Sequence, residues 1–212
     1  MTADSPLLWY VSRATGVVCL VLFTAVVLLG ILVHLRKRLP GLPRFGTVGL
    51  HRTLSLLAVV FLAVHIGSSV FDSYVNISLL DVLVPFASDY QPLWLGLGTV
   101  AFDLMLAVVA TSLLRRRIGH RVWRAVHWLA YLSWPVALVH GIGIGTDTGV
   151  DWMTWLTVVC VVAVVGGVTV RVLYEVRAGR RPETPASLLD GARPLPRQQA
   201  APQPPARVRK GA

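Results

Sequence analysis

Five long apolar stretches alternate with short polar segments along the 212-residue chain. Each contains about twenty consecutive, mainly apolar residues, which is the length that an α-helix needs to cross the hydrocarbon core of a bilayer. The pattern therefore predicts an all-α fold, a polytopic membrane helical bundle with five transmembrane helices. Their expected positions are 8–33, 48–71, 94–114, 122–144 and 152–173.

The composition agrees with this prediction, since 55% of the residues are hydrophobic and only 14% are charged. Soluble domains usually contain about a quarter charged residues. The formal net charge of +10 is large enough to suggest nucleic-acid binding. The basic residues, however, avoid the apolar stretches and collect between alternate ones, which is typical of a membrane protein. We therefore expect membrane lipid, and no nucleic acid, as the partner of this charge.

The distribution of charge between the helices predicts the orientation. The first and third connections are basic and should be cytoplasmic; they contain Arg36, Lys37, Arg38, Arg44, Arg52, Arg115, Arg116, Arg117, Arg121 and Arg124. The second and fourth connections have no lysine or arginine and contain Asp72, Asp81, Asp89, Asp147 and Asp151. We therefore expect the N terminus outside, the C terminus in the cytoplasm, and a multi-pass protein of the cell membrane.

Two segments outside the spans have their own character. The short apolar segment Ile77 to Phe86 predicts an interfacial helix on the outer membrane surface. Residues 175–212 are rich in proline, alanine, arginine and glutamine, which predicts a disordered cytoplasmic tail. The expected domain organisation is a transmembrane domain over 1–174, followed by this tail.

Four histidines within the predicted spans form a pattern. His51 and His65 lie fourteen residues apart in the second helix, and His127 and His140 lie thirteen apart in the fourth. At about 1.5 Å per residue, each pair is separated by roughly 20 Å along its helix. Because the two helices run in the same direction, His51 should face His127 at an inner level. His65 should face His140 at an outer level.

Opposed imidazoles on facing helices are the ligands of bis-histidine haem sites, so the pattern predicts two b-type haems whose irons these histidines ligate. One haem remains an alternative. At about 100° per residue, His127 and His140 would point roughly 140° apart on a straight helix. Pro135 lies between them, and we expect a kink or change of winding there. An interhelical hydrogen bond is the simpler role of any single histidine, and zinc or copper is a further possibility.

The two histidine spacings, His51 to His65 and His127 to His140, resemble those of the ferric reductase-like transmembrane domain. This superfamily includes NADPH oxidases, ferric-chelate reductases and the haem-binding subunit of a bacterial methionine sulfoxide reductase system. The resemblance implies that His51 and His127 ligate an inner haem, and that His65 and His140 ligate an outer one. It covers residues 8–173, so we expect no flavin or nicotinamide domain in this chain.

Four further polar residues remain as candidates. Arg13, near the outer end of the first helix, could bind haem propionates or could simply reach the interface. His34 and His120 are expected at the cytoplasmic surface. Asp103 lies in the middle of the third helix, where it could pair with a neighbouring helix, for example through Arg13, or relay protons.

The leading hypothesis is an electron-transfer component of an oxidoreductase. Electrons would come from a separate flavoprotein reductase or from quinol, and would pass to an extracytoplasmic acceptor or partner reductase. The alternative is a non-redox membrane transporter or scaffold whose histidines bind protons or metal. The haem hypothesis predicts a red purified protein, and the alternative predicts a colourless one.

Overall fold

The computed structural model describes residues 7–35, 43–72, 77–145 and 149–179, together with the single residues 37, 39, 41 and 75. The chain divides into two units, Met1–Leu173 and Tyr174–Ala212. Of the second unit only 174–179 is described, as the end of a helix. The predicted disorder of the tail therefore lies almost entirely outside the described residues.

The described residues form helices and no strands. The helices are α1 (Leu7–His34), α2 (Arg44–Val70), α3 (Leu79–Leu83), α4 (Pro92–Leu113), α5 (Arg115–Ile118), α6 (His120–His127), α7 (Leu129–Ile144) and α8 (Asp151–Gly179). Five spans are long and apolar enough to cross a membrane, and α6 and α7 together make the fourth of them. The prediction of an all-α fold is confirmed for the described residues, which contain five candidate membrane-spanning helices, as predicted.

The outward side chains of the spans are apolar. In α2, for example, Leu56 and Val60 are each 58% exposed. Hydroxyl groups in the spans bond carbonyls of their own helices, as Thr15 does to Val11 at 2.6 Å and Thr24 to Leu20 at 2.8 Å. Such bonds satisfy polar groups where hydrocarbon offers no partner. The surface is therefore suited to lipid.

The fourth span is interrupted next to one of the candidate histidines. The N–H of Trp128 bonds the carbonyl of Ala125 at 3.3 Å, and the N–H of Tyr131 bonds that of Trp128 at 3.0 Å. These bonds reach back three residues and wind the chain more tightly than an α-helix. The interruption at Trp128 was not expected from the sequence; the kink expected at Pro135 remains a prediction, and α7 continues through that residue as a helix. The interruption changes the phase between His127 and His140.

The spans pack mainly as two groups. α1 packs against α2, α4 packs against α6 and α7, and α1 also contacts α7. Among the described helices, α2 makes at most marginal contact with α6 or α7. The helices that carry the candidate histidines are therefore held by α1 and α4, and they are not packed directly against each other.

Two polar contacts fix this arrangement. The indole N–H of Trp134 in α7 donates to the hydroxyl of Thr24 in α1 at 3.0 Å, and both residues are buried.

At the predicted outer surface, Ser78 and Asp81 form a reciprocal cap that begins α3. The helix over 79–83 is shorter than the predicted interfacial segment. The hydroxyl of Thr99 in α4 donates to the carbonyl of Asp81 at 2.7 Å and ties α3 to α4.

Candidate functional site

The candidate histidines come together as two pairs, which we call the outer pair (His65 and His140) and the inner pair (His51 and His127) after the predicted orientation. His65 and His140 line the same cavity, which has a volume of about 310 Å³. The inner pair likewise has one ring from α2 and one from the fourth span, on α6. The structure therefore brings the two outer partners, one from α2 and one from the fourth span, to the same cavity.

Three of the four imidazoles donate to a backbone carbonyl of a neighbouring helix. Nδ1 of His65 lies 2.7 Å from the Ser12 oxygen, and Nδ1 of His140 lies 2.7 Å from the Trp94 oxygen. Nδ1 of His51 lies 3.1 Å from the Val26 oxygen. Because a carbonyl oxygen only accepts hydrogen bonds, Nδ1 of each ring carries the proton. Nε2 then keeps a lone pair, which is the state that coordinates a metal.

His127 is different. Its ring stacks on the indole of Trp123, with centroids 5.0 Å apart and an angle of 29° between the planes. Its Nδ1 is buried and has no hydrogen-bond partner among the described residues. In the inner pair, therefore, only His51 has its Nδ1 bonded to a carbonyl of a neighbouring helix within the described part of the chain.

Glycines make room for three of the rings. A Cβ atom at Gly98 would lie 2.6 Å from Cε1 of His140, and one at Gly16 would lie 3.0 Å from Cε1 of His65. A Cβ at Gly30 would meet Cε1 of His51 at 3.5 Å, an ordinary contact. The sequence analysis missed these glycines. A signal was available, because Gly16 and Gly30 have the same fourteen-residue spacing as His51 and His65.

The cavity between the outer histidines has largely apolar walls. Its lining includes Val17, Leu20, Phe23, Leu62, Phe102 and Leu138. Arg13 also lines the cavity, and its guanidinium lies 4.9 Å from the centre of the Trp9 ring. A small number of polar groups in an apolar pocket is the usual composition of a cofactor site.

The other polar candidates lie elsewhere. His34 and His120 are exposed, as predicted, and His120 accepts a hydrogen bond from Arg124 at 3.2 Å. Asp103 is partly buried on α4 and is not among the residues that line the cavity. Its pairing with a neighbouring helix remains a prediction.

Arg171 is a buried cation that was not identified as a candidate from the sequence. It is 7% exposed, and its guanidinium lies 4.2 Å from the centre of the Trp128 ring and 5.0 Å from that of Tyr131. It also donates a hydrogen bond to the Tyr131 hydroxyl. A lone charge within the apolar run 152–173 was the available signal. Arg171 holds the two rings that flank the interruption of the fourth span.

Three or more histidine, cysteine or carboxylate side chains do not cluster as a metal site anywhere in the described ranges. A protein site for a bare zinc ion usually supplies three or four ligands. The described residues instead contain candidate imidazoles that are paired from two helices. Two is the number of protein ligands that a six-coordinate haem iron takes.

Comparison with known proteins gives one match. No curated protein and no solved structure matches the chain. The family model described as "Ferric reductase like transmembrane component" matches residues 15–138, more than half of the 212 residues. The match contains His51, His65 and His127, ends two residues before His140, and does not include α8. The chain is thus a multi-pass membrane protein that belongs to the ferric reductase-like transmembrane component family.

Proposed function

We propose that this chain is a di-haem electron-transfer subunit of the cell membrane. The outer and inner histidine pairs would each hold one b-type haem, with Nε2 of each imidazole as the ligand atom. Haem, when bound, supplies the redox chemistry, and the protein holds and orients it. The resulting activity is the transfer of electrons across the bilayer to an extracytoplasmic acceptor.

The observation that carries the proposal is the protonation state and grouping of the imidazoles. Nδ1 is committed to a carbonyl in His51, His65 and His140, which leaves Nε2 available for coordination. Metal-ligating histidines usually have this kind of second hydrogen bond, because it fixes the tautomer and the orientation of the ring. An interhelical hydrogen bond alone would not account for two pairs at matching positions on α2 and on the fourth span.

The surroundings of the outer pair also fit a porphyrin. The cavity of about 310 Å³ lies at the lower end of the usual range of ligand pockets, about 300–1,000 Å³. Its apolar walls suit the macrocycle. Arg13 lines the same cavity, and its guanidinium would pair with a propionate. The cation–π contact of Arg13 with Trp9 holds the guanidinium at this cavity.

Two levels of histidines are useful for transfer across a membrane. His51 and His65 lie fourteen residues apart on α2, or roughly 20 Å at about 1.5 Å per residue. The hydrocarbon core is about 30 Å thick. Redox centres at both levels would divide this distance into shorter steps.

The direction of transfer follows from the orientation of the helices. The basic connections indicate that the N terminus is outside and the C terminus is cytoplasmic. Electrons would then enter at the inner pair, from a separate flavoprotein reductase or from quinol. They would leave at the outer pair for an extracytoplasmic acceptor or a partner reductase.

Electron transfer can be tested with the full-length protein in lipid vesicles that contain trapped ferricyanide. Dithionite, which does not cross the bilayer, is added outside, and the loss of ferricyanide absorbance is followed. With the wild-type protein we expect the ferricyanide absorbance to fall faster than in protein-free vesicles. With His140→Ala it should fall more slowly than with the wild type. A wild-type rate equal to that of protein-free vesicles, with a colourless protein, would contradict the proposal and favour the non-redox alternative.

A further inference from the structure

Three of the four histidines share the same contacts with the backbone of a neighbouring helix. In each case a helix carbonyl accepts the Nδ1–H of the imidazole, and a glycine lies four residues after that carbonyl. The sets are Ser12 and Gly16 for His65, Val26 and Gly30 for His51, and Trp94 and Gly98 for His140. In an α-helix the N–H of the fourth following residue bonds the same carbonyl, so the glycine lies beside it. The missing side chain lets the ring approach.

The arrangement repeats every fourteen residues along a helix. In α1 this step leads from Ser12 to Val26 and from Gly16 to Gly30. The same step along α4 leads from the Trp94 carbonyl to that of Val108, and from Gly98 to Ser112. Val108 and Ser112 therefore occupy the position at which the arrangement for His127 would be expected.

Trp123 independently relates Ser112 to His127. Its indole stacks on the His127 ring at 5.0 Å, and its Nε1–H donates to the Ser112 hydroxyl at 3.3 Å. α4 also packs against α6, which carries both aromatic residues. Ser112 thus lies at the level of the inner pair.

At the fourth position of this kind, on α4, Ser112 stands where the other three have glycine. Its hydroxyl donates to the Val108 carbonyl at 2.7 Å, and the hydroxyl of Thr111 also reaches that oxygen, at 3.2 Å. The Ser12 carbonyl accepts both the Thr15 hydroxyl, at 3.0 Å, and His65, so the Thr111 bond alone would not exclude an imidazole. The distinguishing feature is Ser112, whose hydroxyl bonds the Val108 carbonyl and whose Cβ occupies the space that glycine leaves open elsewhere. This explains why Nδ1 of His127 is buried without a partner among the described residues.

We infer that Ser112, in place of a glycine, makes the two haem sites unequal and gives the inner pair the higher reduction potential. The inference rests on the proposed function. A hydrogen bond from Nδ1–H to a carbonyl makes the imidazole a more basic ligand. A more basic ligand stabilises the oxidised iron, and hydrogen bonding around the ligands is one of the means by which a protein sets this potential. The outer pair has two such bonds and the inner pair has one.

The experiment is a spectroelectrochemical titration of the purified, full-length holoprotein. The wild type should give two separate steps. His127→Ala should abolish the higher step, and His65→Ala should abolish the lower one. Ser112→Gly removes the 2.7 Å hydroxyl bond to the Val108 carbonyl and opens space for His127, so it should lower the higher step toward the other and leave the lower step in place.

Two control variants separate the causes. Ser112→Ala removes the hydroxyl and the Trp123 contact but keeps the Cβ, and it should shift the higher step less than Ser112→Gly does. Ala110→Gly adds the same backbone freedom to this turn of α4. Ala110 lies two residues from both Val108 and Ser112, and therefore on the opposite side of the helix. This variant should shift neither step. The inference is overturned if the steps are assigned in the opposite order, or if Ser112→Gly moves the higher step no further than Ser112→Ala. These outcomes leave two haems bound, whereas a protein without haem would refute the proposed function itself.

Discussion

Gly98 lies against the imidazole of His140, and its lack of a side chain is necessary there. A Cβ would come within 2.6 Å of Cε1 and 2.7 Å of Nδ1, so the ring would have to move away from its bond to Trp94. We expect Gly98→Ala to reduce the haem content of the purified protein by about half, because one of two bis-histidine sites loses a ligand. The ratio of haem to protein, measured by absorbance, checks this expectation.

The glycines form a graded series that tests the same cause. We expect Gly16→Ala, whose Cβ would lie 3.0 Å from His65, to have a smaller effect than Gly98→Ala. Gly30→Ala should have the least effect of the three, since its Cβ would lie 3.5 Å from His51. Gly67→Ala is the matched control, because no atom lies within 4 Å of a Cβ there. Equal haem content in all four variants would show that the glycines do not position the rings.

The residue types at the site were only partly predictable. A histidine in a membrane span attracts attention because it is costly there, and both pairs follow from spacing and direction alone. The carbonyls of Ser12, Val26 and Trp94 could not be identified, since every residue has a carbonyl and only packing selects the one that accepts. The role inferred for Ser112 could not be predicted either, since it depends on the contacts of the other three histidines with carbonyls and glycines.

At the scale of elements, the interruption after His127 is supported by Arg171 of α8. Arg171→Met would remove a buried cation from between Trp128 and Tyr131, together with a hydrogen bond to the Tyr131 hydroxyl. Desolvated cation–π contacts and hydrogen bonds of this kind suggest a loss of about 2 kcal/mol in the free energy of unfolding. Thermal unfolding in detergent should show a lower midpoint. Arg177→Met, at an exposed arginine of the same helix, should change it little.

The contact between α1 and α7 gives a second prediction. Thr24→Val removes the acceptor of the buried Trp134 N–H and preserves the shape of the side chain. Hydrogen bonds between membrane helices contribute about 0.6 kcal/mol on average and up to about 1.7 kcal/mol. We expect a loss of that size in denaturant unfolding, and little change for Thr169→Val, an exposed threonine that bonds only its own helix at Val165. Similar losses for both variants would mean that the interhelical bond is unimportant.

Element boundaries show where reasoning from the sequence was limited. The five spans were predictable because apolar length alone defines them. The break in the fourth span was expected at Pro135, where a hydrogen bond is necessarily missing. The structure has an interruption at Trp128 as well, where Arg171 packs on the rings of Trp128 and Tyr131. The sequence does not reveal this tertiary packing.

At the scale of the whole molecule, the charge distribution predicts the orientation in the membrane. The basic first and third connections should stay in the cytoplasm, which puts the C terminus there as well. A green fluorescent protein fused to the C terminus should therefore fluoresce in a bacterial host, and alkaline phosphatase fused at the same position should be inactive. An active phosphatase fusion would reverse the proposed direction of electron transfer.

The central claim is that the four imidazoles act as two opposed pairs, each of which holds a haem. The most direct test is the ratio of haem to protein in the purified wild type, in His65→Ala, in His127→Ala and in the variant that lacks all four histidines. We expect about two, one, one and no haems per chain, because each bis-histidine site needs both of its ligands. Haem absorbance that survives the loss of all four histidines, or a wild type that binds none, would contradict it.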